Sequence, residues 1–266
     1  MCSISRSTVG LLAAVLVSLG LIAAPATGPA VAQAPKGNGL PEADLTKLIN
    51  ETAKSLQTDT RSAQEFNTKL KRIEADAYLL VILAQAGING GGDPKLITLR
   101  EEALKLAEAA KAKNFEAAKK AAEAIANFKA MKPGNPQNAK CELGKVVPIK
   151  ILMENVNATN RFLIMHNRLS AAAWKAAGKT DAVAADSTKI AALSLAIIEH
   201  TPAKDPDPAK GQTRKAWEES ARNVHAATLD LIEAAKKKDQ TAWKSAFKKM
   251  DTACTSCHDI FRVELP

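Results

Sequence analysis

Helix start and stop signals recur along almost the whole of this 266-residue chain, and they constrain its fold more than any other feature. Between these signals, apolar side chains repeat at the three- and four-residue spacing of an amphipathic helix. Aromatic residues make up only 4% of the sequence, so few strand formers are available for a β-sandwich or a β-barrel. The sequence therefore predicts an all-α protein.

We expect eight helices in two groups of four. Seven of them cover about residues 41–57, 62–86, 94–113, 115–131, 148–177, 181–199 and 213–237, and the eighth follows Asp239 toward the end of the chain. Asp93 followed by Pro94, Asn114 and Asp239 are typical residues for helix starts. A stretch rich in Pro, Gly and Asn separates the groups. The predicted organisation is two tandem antiparallel four-helix bundles, over residues 33–131 and 148–266, joined by a linker over residues 132–147.

The first 32 residues have the three parts of a secretory signal peptide. Arg6 precedes a run of 16 apolar residues, Val9–Ala24, and a small-residue triplet ends at Ala32. The apolar run is short for a bilayer span, and no other stretch of the sequence is long and apolar enough. We therefore expect cleavage after Ala32 and an exported, soluble protein in the periplasm, with Cys2 lost together with the signal.

The last predicted helix contains Cys254-x-x-Cys257-His258, the C-x-x-C-H pattern of covalent haem attachment. Residues three apart lie on one helix face, so both thiols can reach the vinyl groups on one porphyrin edge. The adjacent imidazole can then reach the iron. A zinc site would need a further Cys or His nearby, and a redox-active pair should open a helix after a strand. The pattern favours one haem c, and Cys141 in the linker is not assigned to it.

An internal repeat relates the two groups of helices. Leu106–Asn114 matches Leu231–Asp239 at an offset of 125 residues. In that register Lys129, Lys132 and Pro133 occupy the positions of the two cysteines and the histidine. We therefore expect the first bundle to be a haem-free copy of the second.

A C-x-x-C-H motif at the end of the last helix of a four-helix unit, continued through Phe261 and Arg262, resembles the class II c-type cytochromes, the cytochrome c′ family. The resemblance covers about residues 146–266. It implies a bundle with the haem at one end. It also implies that Cys254 and Cys257 form the thioethers, that His258 is the proximal iron ligand, and that Arg262 lies beside the proximal face.

The distal iron ligand decides the mechanism. In an up-down bundle the end of the last helix meets the start of the first, which places Met153 opposite His258. This arrangement resembles the low-spin Met/His members of the family, in which a thioether opposite His stabilises ferrous iron. In the first repeat Ile49 stands where Met153 would be. His200, at the end of the sixth predicted helix, is the competing ligand.

Distal ligation by Met153 predicts an electron carrier rather than an enzyme. A redox partner with an acidic patch would dock near the loop Thr201–Gly211, through four basic residues. These residues are Lys204, Lys210, Arg214 and Lys215. The charge along the rest of the chain is mixed in sign and does not indicate nucleic-acid binding. The haem-free half could form a homodimer, dock a partner or extend the bundle.

Two other functions depend on an open iron. Without the Met153 ligand, Leu152 and Val156 would line a distal pocket for nitric oxide or carbon monoxide, as in cytochrome c′ itself. A haem peroxidase would need a distal His and Arg pair, for which His200 is the sole acid–base candidate. Coordination number separates the electron carrier from the gas-binding protein.

Overall fold

A computed structural model describes residues 39–160, 165–178 and 181–261, and every regular element within these ranges is helical apart from one isolated bridge between Asp207 and Gln212. The all-α prediction is confirmed. The predicted signal peptide and Arg262 lie outside the described residues. No helix in these ranges is long and apolar enough to cross a membrane. The helices are α1 (Glu42–Asp59), α2 (Ala63–Asn89), α3 (Lys95–Lys111), α4 (Phe115–Ala126), α5 (Leu143–Val146), α6 (Ile149–Asn160), α7 (Ala171–Gly178), α8 (Ala182–Glu199), α9 (Arg214–Lys236) and α10 (Gln240–Phe261).

The predicted helix starts agree with the structure where a side chain caps the helix. The Asn114 side chain accepts a hydrogen bond from the Ala117 N–H at 3.1 Å, and Asp239 accepts one from the Ala242 N–H at 2.9 Å. Each cap satisfies one of the N–H groups that have no partner within the helix. These caps fix the first turns of α4 and α10.

The prediction of one long helix over residues 148–177 is wrong. α6 ends at Asn160, and a 3-10 turn over His166–Leu169 precedes α7. The Ser170 hydroxyl accepts a hydrogen bond from the Ala173 N–H at 3.1 Å, so Ser170 caps a new helix. Met165, which the single long helix would have included, therefore lies outside α6, directly before the 3-10 turn.

Helices that are consecutive in the chain pack against each other in both halves. In the first half, α2 packs on α1 and α3, and α4 packs on α3 and α1, which closes a four-helix bundle. In the second half, α8 packs on α6 and α9, and α9 packs on α10.

The turns after α3 and α9 have the same conformation, 125 residues apart. Lys113 has φ 55° and Lys238 has φ 54°, both in the left-handed region. In each turn the next N–H donates to the carbonyl five residues earlier, at 2.9 Å in the first half and 3.0 Å in the second. These paired turns support the duplication, which stays a prediction.

The linker is fixed to both halves. The buried Arg100 guanidinium of α3 donates to the Asn138 carbonyl at 2.6 Å and to the Ala139 carbonyl at 3.1 Å. At the other end of the linker, the Leu143 N–H donates to the Glu199 carboxylate at 2.7 Å. The linker therefore holds α3 and α8 in a defined relationship.

The two halves share one hydrophobic core. α1 packs on α8, and α2 packs on both α6 and α8. A largely buried charged group also lies at this junction, where Lys189 interacts with Asp76 and Asp186. Burial lowers the pKa of Lys189 and raises the pKa of both carboxyl groups. The junction is therefore part of the folded core.

Candidate functional site

A cleft at one end of the second half is lined by residues of four helices, α6, α8, α9 and α10. The lining residues are Met153, Val156, Asn157, Ile197, Ala221, Val224, Asp251, Cys254, Thr255, Cys257 and His258. Four of the five predicted site residues therefore meet at one place, and the fifth, Arg262, lies outside the described residues. The cleft joins the C-x-x-C-H motif to a methionine about 100 residues earlier in the chain.

The buried face of α10 fixes the rotation of the motif. Trp243, Phe247 and Met250 follow one another at helical spacing and are buried. Continuing that face by one turn places Cys254 against the core, whereas the His258 side chain is exposed to solvent. The apolar stripe of the helix thereby directs the first thiol inward.

The second thiol is half-buried and close to α9. Burial raises the pKa of Cys257, and a hydrogen bond with the Ser220 hydroxyl acts in the opposite direction. The net shift favours the protonated thiol at neutral pH. Cys257 is therefore held as the neutral thiol.

The last turn of α10 is anchored beside the motif. The Gln212 side chain donates to the Ile260 carbonyl at 2.8 Å, and the Trp217 ring meets the Phe261 ring edge-on at 5.1 Å. The Trp217 indole N–H also donates to the Ile197 carbonyl on α8 at 3.1 Å. The segment that follows the Thr201–Gly211 loop therefore lies at this end of the bundle.

The competing ligand, His200, points elsewhere. Its Nε2 is 2.8 Å from the Val147 carbonyl and its Nδ1 is 2.7 Å from the Ala196 carbonyl. His200 is not among the residues that line the cleft. It connects the end of α8 to the residues just before α6 instead.

The distal wall of the cleft differs from the expectation in one residue. Val156 lines the cleft as expected, but Leu152 is fully buried and does not line it. Two polar residues that the sequence analysis missed are present instead, Asn157 and Asp251. Asn157 lies one turn after Met153, and this spacing is the signal that could have identified it.

The donors in the cleft suit a haem. Two thiols one helical turn apart and an imidazole stand on α10, and a thioether faces them from α6, with apolar side chains between. These are the side chains that hold covalently bound haem iron in a Met/His environment. The cavity itself measures about 50 Å³, far less than a porphyrin, so a bound haem would require α6 and α10 to lie further apart. Among the described residues, α6 packs mainly on α8 and α2 rather than on α10.

The family assignment rests on the segment that contains the motif. A family model described as Cytochrome C' matches residues 160–262. The match supports a class II c-type cytochrome in this part of the chain, hereafter called the cytochrome c′ half. A cytochrome of this class implies haem binding, with electron transfer or gas binding as the function. No curated protein and no solved structure matches the chain.

The family match covers one side of the cleft better than the other. It includes α8, α9 and α10, with Cys254, Cys257 and His258, but it begins at the last residue of α6. Met153 and the whole first half lie outside it. The role of Met153 therefore depends on the structure of this chain rather than on the match.

The corresponding end of the first half is filled differently. Ile49 lines a cavity of about 230 Å³ together with Leu96 and Phe128. In the repeat register, Leu96 stands where the cytochrome c′ half has Ala221, and Lys129 stands where it has Cys254. Larger apolar side chains thus replace the small ones, and no thiol is present at the attachment position.

The predicted basic docking face is mixed in charge. Lys210 pairs with Asp207 at 3.3 Å, and Arg214 pairs with Glu218 at 3.0 Å. Lys204, Lys210, Arg214 and Lys215 are all exposed. Acidic neighbours therefore offset part of the positive charge that the sequence placed here.

Proposed function

We propose that the cytochrome c′ half carries one covalent haem c, attached through Cys254 and Cys257. His258 is its proximal ligand and Met153 its distal ligand, and the protein transfers electrons in the periplasm rather than catalysing a reaction. The observation that carries this proposal is that Met153 and His258 line one cleft from opposite helices. A haem held in this way supplies a one-electron Fe(II)/Fe(III) couple.

Attachment needs no oxidant and releases no leaving group. Each thiol adds across one vinyl double bond, its sulfur bonding to one carbon and its hydrogen to the other. Cys254 and Cys257 lie one turn apart on α10, so both can reach the same porphyrin edge. His258 follows directly in the chain, so attachment brings its imidazole to the iron.

Apolar side chains form much of the lining of the site. Val156, Ile197 and Val224 line the cleft and limit the entry of water. A methionine on one wall and a histidine on the other need little rearrangement when the charge on the iron changes. These properties suit electron transfer to a redox partner with an acidic patch, with a modest contribution from the mixed basic surface.

The proposal is tested by producing the protein in a host that has haem-attachment machinery. Intact mass after denaturation should exceed the polypeptide mass by one haem, and replacement of both cysteines by Ala should abolish the increase. A carbon monoxide difference spectrum of the reduced protein should show little change. Met153→Ala should convert it to rapid carbon monoxide binding, whereas Met131→Ala, a control in the first half, should not.

Gas binding is the second candidate, favoured by the position of the family match. The match begins at residue 160 and so supports the proximal side of the cleft without Met153. If α6 moves far enough to admit the porphyrin, Met153 loses contact with the iron and Val156 borders an open distal site. Rapid carbon monoxide binding by the unaltered protein, unchanged by Met153→Ala, would favour this function.

A further inference from the structure

α6, the helix that carries Met153, packs little against α10, the helix that carries the C-x-x-C-H motif. Among the described residues, α6 packs on α8 and on α2, and it has no extensive packing against α10. A haem held by Met153 and His258 would lie between α6 and α10, so the position of Met153 would depend on the other two neighbours of α6. One of them, α2, belongs to the haem-free half.

The junction between the halves has the contact pattern of a two-fold interface. The first helix of one half packs on the second helix of the other, as α1 packs on α8 and α6 packs on α2. The two second helices, α2 and α8, also pack on each other. This reciprocal exchange is the pattern of an isologous interface between two subunits. The haem-free half therefore covers α6 and α8 as a partner subunit would.

A buried side chain connects α2 to α6 at this junction. Asn155 is 5% exposed, and its side-chain amide donates to the Ala75 carbonyl of α2 at 3.0 Å. Residues two apart on a helix are separated by about 200° around its axis. Asn155 therefore faces the haem-free half, while Met153, on the other side of α6, faces the cleft.

We propose that the haem-free half positions the distal helix, and that Asn155 is the positioning residue through which α2 holds α6. The identity of the distal ligand as Met153 rests on the proposed function. The Asn155 amide also donates to the Ile151 carbonyl within α6 at 3.3 Å, and its bond to Ala75 connects the helix to α2. A buried hydrogen bond between two helices favours a single placement of α6 over nearby ones. Loss of the bond lets α6 shift, and Met153 then spends more time away from the iron.

The test compares two variants that each lose one hydrogen bond between the halves. Asn155→Ala removes the bond from α6 to α2. Thr188→Val is the matched control, because Thr188 on α8 donates to Asp44 on α1 at 3.2 Å and does not involve α6. In the reduced holoprotein we expect Asn155→Ala to bind carbon monoxide about five- to tenfold faster than the unaltered protein, and Thr188→Val to bind it at the unaltered rate.

Hydrogen exchange separates this proposal from the identity of the ligand. Asn155→Ala should increase amide exchange in α6 selectively, and Thr188→Val should not. Equal exchange in α6 for both variants would overturn the positioning role, whatever residue binds the iron. Increased exchange in α6 with no effect of Met153→Ala on carbon monoxide binding would retain the positioning role and reject Met153 as the ligand.

Discussion

The Leu96 side chain occupies the space that a side chain on Gly87 would need. A Cβ atom on Gly87 would lie 2.6 Å from Leu96 Cδ1. Counted from the ends of α2 and α8, Gly87 corresponds to Ile197, and the repeat offset pairs Leu96 with Ala221. In the first half the large residue of the pair is on α3 and the small one on α2. In the cytochrome c′ half the large residue is on α8 and the small one on α9. In the predicted repeat, Leu96 packs into the region that corresponds to the cleft lined by Ile197 and Ala221.

Because the side chains at positions 87 and 96 would compete for one space, we expect their effects on the free energy of unfolding to be strongly coupled. Gly87→Ile should lower the free energy of unfolding by about 1–3 kcal/mol, because the new side chain overpacks against Leu96. Leu96→Ala in the same chain should recover part of that loss. Denaturant unfolding of both single variants and the double variant gives the coupling energy. Strictly additive effects would show that the two side chains do not compete for one space.

The one tyrosine of the chain should titrate far above its ordinary range. Burial and the nearby Glu108 carboxylate, 3.5 Å from the hydroxyl, raise the pKa of Tyr78 to about 12. Since the folded state holds this proton more tightly than the unfolded chain, its contribution to stability is complete below pH 10 and is lost as the pH rises to about 12. Tyrosinate absorbance reports Tyr78 alone, and Glu108→Gln should lower its midpoint. A midpoint near 10 in the folded protein would contradict the buried placement.

Local signals explain why most helices could be predicted from the sequence. Asn114 and Asp239 cap the N–H groups of the next turn, an interaction that needs only neighbouring residues. The 3-10 turn at His166–Leu169, which lies between α6 and α7, could not be predicted in the same way. The helical pattern of the sequence runs through Ser170 without Gly or Pro. The capping role of Ser170 is evident only in the folded protein, in which α7 packs on α8.

The residues of the candidate site also differ in whether local sequence signals could identify them. Cys254 and His258 could be recognised because their spacing on one helix is a local property. Met153 needed the added assumption of an up-down bundle, and its place in the cleft agrees with that assumption. The contact of Asn155 with Ala75 joins two halves that the sequence treats as separate bundles. No periodicity or cap in either segment indicates that pair.

The buried guanidinium of Arg100 should govern the stability of the linker. It donates to the Asn138 and Ala139 carbonyls and to the Gln85 side chain, which itself donates to Ala139. Arg100→Lys keeps the charge but loses the planar fork, so we expect the free energy of unfolding to fall by about 1–3 kcal/mol. Limited trypsin digestion at exposed Lys140 should accelerate as the linker detaches.

A matched control for Arg100 is Arg61→Lys, which alters an exposed arginine paired with Glu65 at 2.6 Å. An exposed ion pair contributes little, so this variant should unfold and be digested much as the unaltered protein. Equal effects of the two replacements would show that the buried contacts to the linker carry no special weight.

Replacement of His200 distinguishes an anchoring residue from an iron ligand. In His200→Ala the Val147 carbonyl loses its partner, so we expect the free energy of unfolding to fall by about 1–3 kcal/mol. The covalent haem should remain, and the reduced variant should bind carbon monoxide more slowly than Met153→Ala, because the distal thioether is still present. His225→Ala is the control, because this half-buried histidine does not line the cleft. Its Nδ1 lies 2.8 Å from the Ser194 hydroxyl oxygen. If His200→Ala instead opened the iron fully and Met153→Ala left it closed, His200 would be the distal ligand, and the end of α8 would have to turn toward the cleft in the holoprotein.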